Sequence, residues 1–140
     1  MGPSVVGVVG VGAEMQLVAE VAAPDASAVV ALLHRPAQWH WLGGALEPVS
    51  SDELVVSFET PRPVWLHLKM SHRTDGVDIA LVQGDVTHLQ GAVVVADGCV
   101  RADLDVVFAS TIPGVLLTEL QSEVLPRWLQ GLVAQVDQTT

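Results

Sequence analysis

The chain has 140 residues, half of them hydrophobic, with 16 acidic against 6 basic side chains and a net charge of −10. That length is enough for one domain with a substantial core, and the charge repels phosphate backbones and anionic membrane surfaces, so direct nucleic-acid binding is not expected. No run of about 18 purely apolar residues is available for a membrane span, and Cys99, the single cysteine, leaves no intrachain disulfide and no cysteine-based zinc site.

Met1 to Glu14 is rich in Gly and Val. It reads as a flexible extension or as an addition to an edge strand, with Met15 as an alternative start. Val5 to Val11 is apolar but short, is broken by Gly7 and Gly10, and has no Lys or Arg before it, so it matches a secretory signal poorly and the cytoplasm is the default location. One domain is expected over 15–140. Met15 to Ala22 alternates and predicts a first strand. Ala23-Pro24-Asp25-Ala26-Ser27 then opens a helix. Proline suits a first turn because its missing N–H has no partner there, and Asp25 places negative charge at the positive end of the helix dipole. Val29, Val30, Leu32 and Leu33 form the apolar face. Arg35-Pro36 ends this helix, because the residue before proline avoids helical angles. Ala37 to Leu42 predicts a second short helix, stopped by Gly43-Gly44.

From there the pattern is β. Strands are expected over Leu46 to Val49, Leu54 to Glu59, Val64 to Arg73, Val77 to Gln83, Leu89 to Ala96 and Cys99 to Ala109. Pro61-Arg62-Pro63 marks a bend, Thr74-Asp75-Gly76 a turn, Gly84-Asp85 another, and Asp97-Gly98 the strongest hairpin signal. From Val100 to Phe108 the even positions are all apolar and the odd ones are mostly charged until Val107, which gives a strand with one dry and one wet face. Pro113-Gly114 follows. Leu117, Leu120, Val124, Trp128, Leu132 and Val136 then recur at helical spacing, with Pro126 set to bend that helix. Two-residue turns favour antiparallel pairing. The predicted class is α+β: a curved antiparallel sheet wrapped on a long C-terminal helix from about Pro113 to Val136, with two short helices after the first strand.

This order resembles the START-like superfamily, also described as the helix-grip or polyketide cyclase/dehydrase fold. Ala23-Pro24 before an apolar helix, then Trp39 and Trp41 near a proline, is similar to that family's opening. The segment Ile79 to Gly91 resembles the part of coenzyme Q-binding proteins and ribosome-association toxins where a hydrophobic strand meets a Gly-Pro-Phe turn and then a Leu-x-Gly-x-Trp strand. Gly84, Leu89 and Gly91 fit; Asp85, Val86 and Val93 stand where proline, phenylalanine and tryptophan are usual. The resemblance implies a cavity between sheet and helix that takes apolar molecules such as lipids, isoprenoid quinones, polyketides or hormones. Some members of that superfamily are cyclases or aromatases, and others only carry.

On that fold the expected cavity residues are Leu66, Leu68, Met70, Leu81, Val93, Leu104, Val106, Leu120, Val124 and Trp128, joined by Trp39 and Trp41. Indole rings give large contact area and one N–H, although ordinary core packing is the simpler account of each of them alone. His72 shares a strand face with Leu66, Leu68 and Met70. It reads as a polar anchor or proton donor at a cavity end, or as a surface-edge histidine. Asp85 reads as a cavity-facing base or as a plain turn aspartate. The five histidines form no metal-ligand spacing, so neither metal nor cofactor is expected. The first reading is therefore a small-molecule carrier, the second a cyclase, aromatase or dehydratase using His72 or Asp85, and the third an interaction module for a basic protein. A homodimer is compatible with each.

Overall fold

The computed structural model describes residues 8–9, 12–59, 63–108 and 119–139. The elements are β1 (Val8–Val9), β2 (Gly12–Ala22), α1 (Ala26–Leu33), two 3-10 turns (Pro36–Gln38 and His40–Leu42), β3 (Ala45–Ser50), β4 (Glu53–Phe58), β5 (Val64–Arg73), β6 (Gly76–Gly84), β7 (Val86–Ala96) and β8 (Cys99–Phe108). A π-helical turn (Leu120–Val124) then runs straight into α2 (Leu125–Thr139). The expected helix start at Pro113-Gly114, together with Leu117, lies outside the described residues.

Local sequence explains the punctuation. The Asp25 carboxylate accepts a hydrogen bond from the Ala28 N–H at 3.1 Å and so caps α1. Asp25→Ala should lower stability by about 1 kcal/mol in urea titration, and an unchanged midpoint would remove the cap from the account. Pro36 disfavours helical angles at Arg35, so α1 stops, and the short helix expected over Ala37 to Leu42 forms as two 3-10 turns. Gly43 takes the left-handed conformation that closes the second of these turns, at φ 78°. Asp97 and Gly98 both have positive φ, 55° and 78°, the geometry of a tight hairpin turn whose twist matches the strands it joins.

The strands form one curved antiparallel sheet in the order β1-β2-β8-β7-β6-β5-β4-β3. Only β2 and β8 join across a long sequence separation; the rest is a meander. One face is dry. Leu17 faces Leu104, Ala19 faces Ala102, Ala102 faces Val93, and Leu68 lies between Leu54 and Leu81. Most of these side chains are buried, and they meet α1, the 3-10 turns and α2, which covers β2 and β8. The other face carries ion pairs and polar contacts, among them Glu53 with His67 at 2.8 Å and Gln16 with Asp103 at 2.8 Å.

The terminal helix departs from the expected stripe. Its buried positions are Leu125, Leu129, Leu132 and Val136, whereas Val124 and Trp128 are half-buried. Pro126 has no N–H to close an α-turn, and the chain meets that loss with one wider π-turn just before it. After that turn the inward face runs through Leu125 and Leu129 in place of Val124 and Trp128, and meets the expected stripe again at Leu132 and Val136.

Candidate functional site

A partly open cavity of about 60 Å³ lies between the sheet and α2. The sheet contributes Val56 and Phe58 from β4, Leu66 and Leu68 from β5, Ile79 from β6, Leu89 and Val93 from β7, and Ala102 and Leu104 from β8. Trp39, Trp41 and Leu42 close one side from the 3-10 turns, and Leu125, Trp128 and Leu129 close the other from α2. Among the described residues only apolar surface faces the space, and no titratable side chain belongs to its wall.

The tryptophans shape this wall in different ways. Trp39 is 1% exposed and donates its indole N–H to the Leu32 carbonyl at 3.3 Å, which ties the 3-10 turns to α1. Its ring meets that of Trp41 at 5.2 Å and 48°, a tilted aromatic pair. Trp128 reaches from α2 to stack on Phe58 of β4 at 5.5 Å and 25°, bridging helix and sheet. Trp41 is 8% exposed, and its Nε1 is buried without a hydrogen-bond partner among the described residues.

Of the residues expected at a cavity, Trp39, Trp41, Leu66, Leu68, Val93, Leu104 and Trp128 line this one. Met70 and Val106 are buried on the same sheet face but lie beyond the lining, and Leu81 and Val124 are half-buried outside it. The side chain of Leu120 lies outside the described residues. Leu42, Val56, Phe58, Ile79, Leu89, Ala102, Leu125 and Leu129 also line the cavity and were not expected there. Val56 and Phe58 were within reach, since Leu54, Val56 and Phe58 alternate on a strand the sequence already predicts. Leu125 and Leu129 depend on the π-turn, which spacing alone does not show.

His72 and Asp85 both stand off the cavity wall, where the surface-edge histidine and the turn aspartate were the alternative readings. His72 continues the face of Leu66, Leu68 and Met70, but that face emerges into solvent at the end of β5. There its ring stacks on His34 at 4.2 Å and 6°. His34 Nε2 lies 2.9 Å from the Arg73 carbonyl and 2.8 Å from that of Gly76, so it carries the proton and clamps the end of α1 to the β5–β6 hairpin. In the same hairpin Arg73 pairs with Asp75 at 2.9 Å and Asp78 at 3.1 Å. The Arg73 hydrogen bond holds the Asp75 carboxyl below the usual range, and Asp75 in turn raises Arg73. Asp85 accepts from the Trp65 N–H at 2.9 Å and returns its own N–H to the Trp65 carbonyl at 3.0 Å. Its carboxylate thus completes the strand edge that proline would leave open.

This arrangement of sheet, turns and terminal helix recurs in solved structures. The protein TTHA0849 from Thermus thermophilus superposes with a TM-score of 0.69 at 19% identity, over 90% of this chain and 99% of that one. Major latex-like protein 151 from Panax ginseng gives 0.62 at 11% identity, over 87% and 97%. Norcoclaurine synthase from Thalictrum flavum gives 0.57 at 13% identity, over 99% and 94%. The chain has a helix-grip fold. No protein-family profile and no curated protein sequence matches it, so the helix grip is carried by structure alone. Among the described residues no three His, Cys, Asp or Glu side chains come together to hold a metal ion, and no helix is long and apolar enough to cross a membrane.

Proposed function

We propose that the protein binds a small hydrophobic or aromatic molecule between its sheet and α2, as a carrier rather than as a catalyst. The observation that carries this reading is the wholly apolar wall drawn from three separate layers of the helix grip. Burial of apolar surface would supply most of the affinity. The space of about 60 Å³ is well below the roughly 300 Å³ at which drug-sized sites begin. The guest is therefore compact, or it parts α2 from the sheet as it enters. The START-like resemblance of Ile79 to Gly91, and fold neighbours whose names include a synthase and a latex-like protein, support the binding of a small molecule, whether it is carried or converted. A cyclase or dehydratase needs an acid or base at the reacting atoms, and His72 and Asp85 both stand off the wall, so the carrier reading is the stronger.

Ala102 is 1% exposed and sits in the cavity wall. Ala102→Leu adds three carbons to the wall and should weaken binding of naphthalene, followed by its fluorescence, by at least about tenfold. The variant should remain folded, with an overpacking cost of about 1–3 kcal/mol. Naphthalene bound equally well by folded Ala102→Leu would sink the cavity reading. Native mass spectrometry of the purified protein would then identify what it carries.

A further inference from the structure

We infer that the stacked rings of Phe58 and Trp128 are the door of the cavity and choose its guest, admitting flat aromatic molecules in preference to saturated ones of the same carbon skeleton. This rests on the cavity-binding reading above and adds an entry route and a class of guest to it. Three observations converge. Among the described residues that line the cavity, only Phe58 and Trp128 are half-buried, and every other one is buried. Solvent therefore reaches the partly open space on the side where these two stand. Their rings are in contact there, stacked at 5.5 Å and 25° across the seam between β4 and α2. The wall behind them holds further rings: the chain has four Trp, two Phe and no Tyr, and Trp39 and Trp41 line the cavity together with this pair.

The fold sets both rings at a rim. Phe58 is the last residue of β4, and Val64, which faces it on β5, is half-buried as well. Trp128 owes its place to the π-turn. With Leu125 and Leu129 turned inward, Trp128 falls on the shoulder of α2, partly in the wall and partly in solvent. A guest that enters here must part the stack. Parting costs the contact of ring on ring, and the guest decides whether that contact is replaced. A flat aromatic guest stacks on each ring as it passes, so one aromatic contact is exchanged for another. A saturated ring is thicker and has no π face, so it breaks the stack and returns less. The choice is thus made in the rate of entry, ahead of any difference in fit once inside. Wall contacts deeper in the cavity act instead on the rate of escape.

Toluene and methylcyclohexane share one carbon skeleton and differ in flatness and π surface. Stopped-flow mixing with each, followed by tryptophan fluorescence, reads entry, because Trp39, Trp41 and Trp128 all line the cavity. In the wild type, toluene should associate about fivefold faster than methylcyclohexane. In Phe58→Leu, which keeps an apolar side chain and removes the ring, the two association rates should come within about twofold of each other. Ile79→Val trims the wall from β6, two strands away from β4. It should keep the wild-type ratio of association rates and change only escape. Three results would overturn the door: equal association rates in the wild type, a ratio left intact in Phe58→Leu, or a ratio lost equally in Ile79→Val. The wild-type comparison stands even if Phe58→Leu folds poorly. Saturable binding of both probes at equal association rates would leave the cavity reading standing and remove this one; saturable binding of neither would remove both.

Discussion

Gly91→Ala should cost about 3 kcal/mol or more. Gly91 lies on β7 in the interior of the sheet, opposite Ile79 on one side and Leu104 on the other. A Cβ there would come 2.1 Å from the Asp103 carbonyl oxygen and 2.8 Å from the Leu104 Cα. Both are backbone atoms and cannot swing aside, so β7 and β8 would have to separate locally, giving up ladder bonds and core contacts together. Stabilities of folded domains are about 5–15 kcal/mol, so the variant should melt far earlier and unfold at a much lower urea midpoint. Gly98→Ala is the informative control. Nothing lies within 4 Å of its added Cβ, and its only penalty comes from a φ of 78°, worth about 1 kcal/mol. Equal losses at the two positions would show that close backbone approach does not set the cost at Gly91.

That glycine was visible in the sequence as part of the Leu89-x-Gly91 segment, but its physical reason was not, because a strand's distance from its neighbour is a tertiary property. The same division holds along the chain. The alternation from Val100 to Phe108 became a strand with Val100, Ala102, Leu104 and Val106 buried and Arg101 and Asp105 exposed, since a sheet covered on one side forces period two on its residues. Asp97-Gly98 became a tight turn because those residues accept the left-handed angles it needs. The terminal helix was legible in kind but not in phase. Pro126 signalled a fault, and a kink and a π-turn are both ways to absorb a missing N–H. Only packing against β2 and the turn at His40–Leu42 selects between them. The cavity inherited that ambiguity: its sheet side was partly readable from strand parity, whereas Leu125 and Leu129 enter only once the phase is known. Asp85 and His72 show the opposite limit. Residue type left each open between chemistry and a plain surface or turn role, and the structure shows each in a local contact, Asp85 with the Trp65 backbone and His72 with the His34 ring.

Trp39→Ala should lower stability by about 4 kcal/mol, within the range for deleting a buried aromatic side chain. Trp39 is 1% exposed at the junction of α1, the 3-10 turns and the cavity. The substitution removes the ring that meets Trp41 and leaves the Leu32 carbonyl without its 3.3 Å donor. It also enlarges a space that is already under-filled, so the surroundings have little with which to collapse. Trp39→Phe separates the contributions: it retains most of the contact area, loses the hydrogen bond, and should cost about 1–2 kcal/mol. Trp65→Ala supplies the contrast, because Trp65 is half-buried on the outer face of β5 and should cost less than Trp39→Ala. Urea unfolding followed by far-UV circular dichroism checks the order Trp39→Ala, then Trp39→Phe. If Trp39→Ala unfolded at the wild-type midpoint, the indole would not be the tie between α1 and the cavity wall. If it unfolded early yet bound naphthalene more tightly once refolded, the enlarged space would itself report that α2 and the 3-10 turns enclose a site with room to grow.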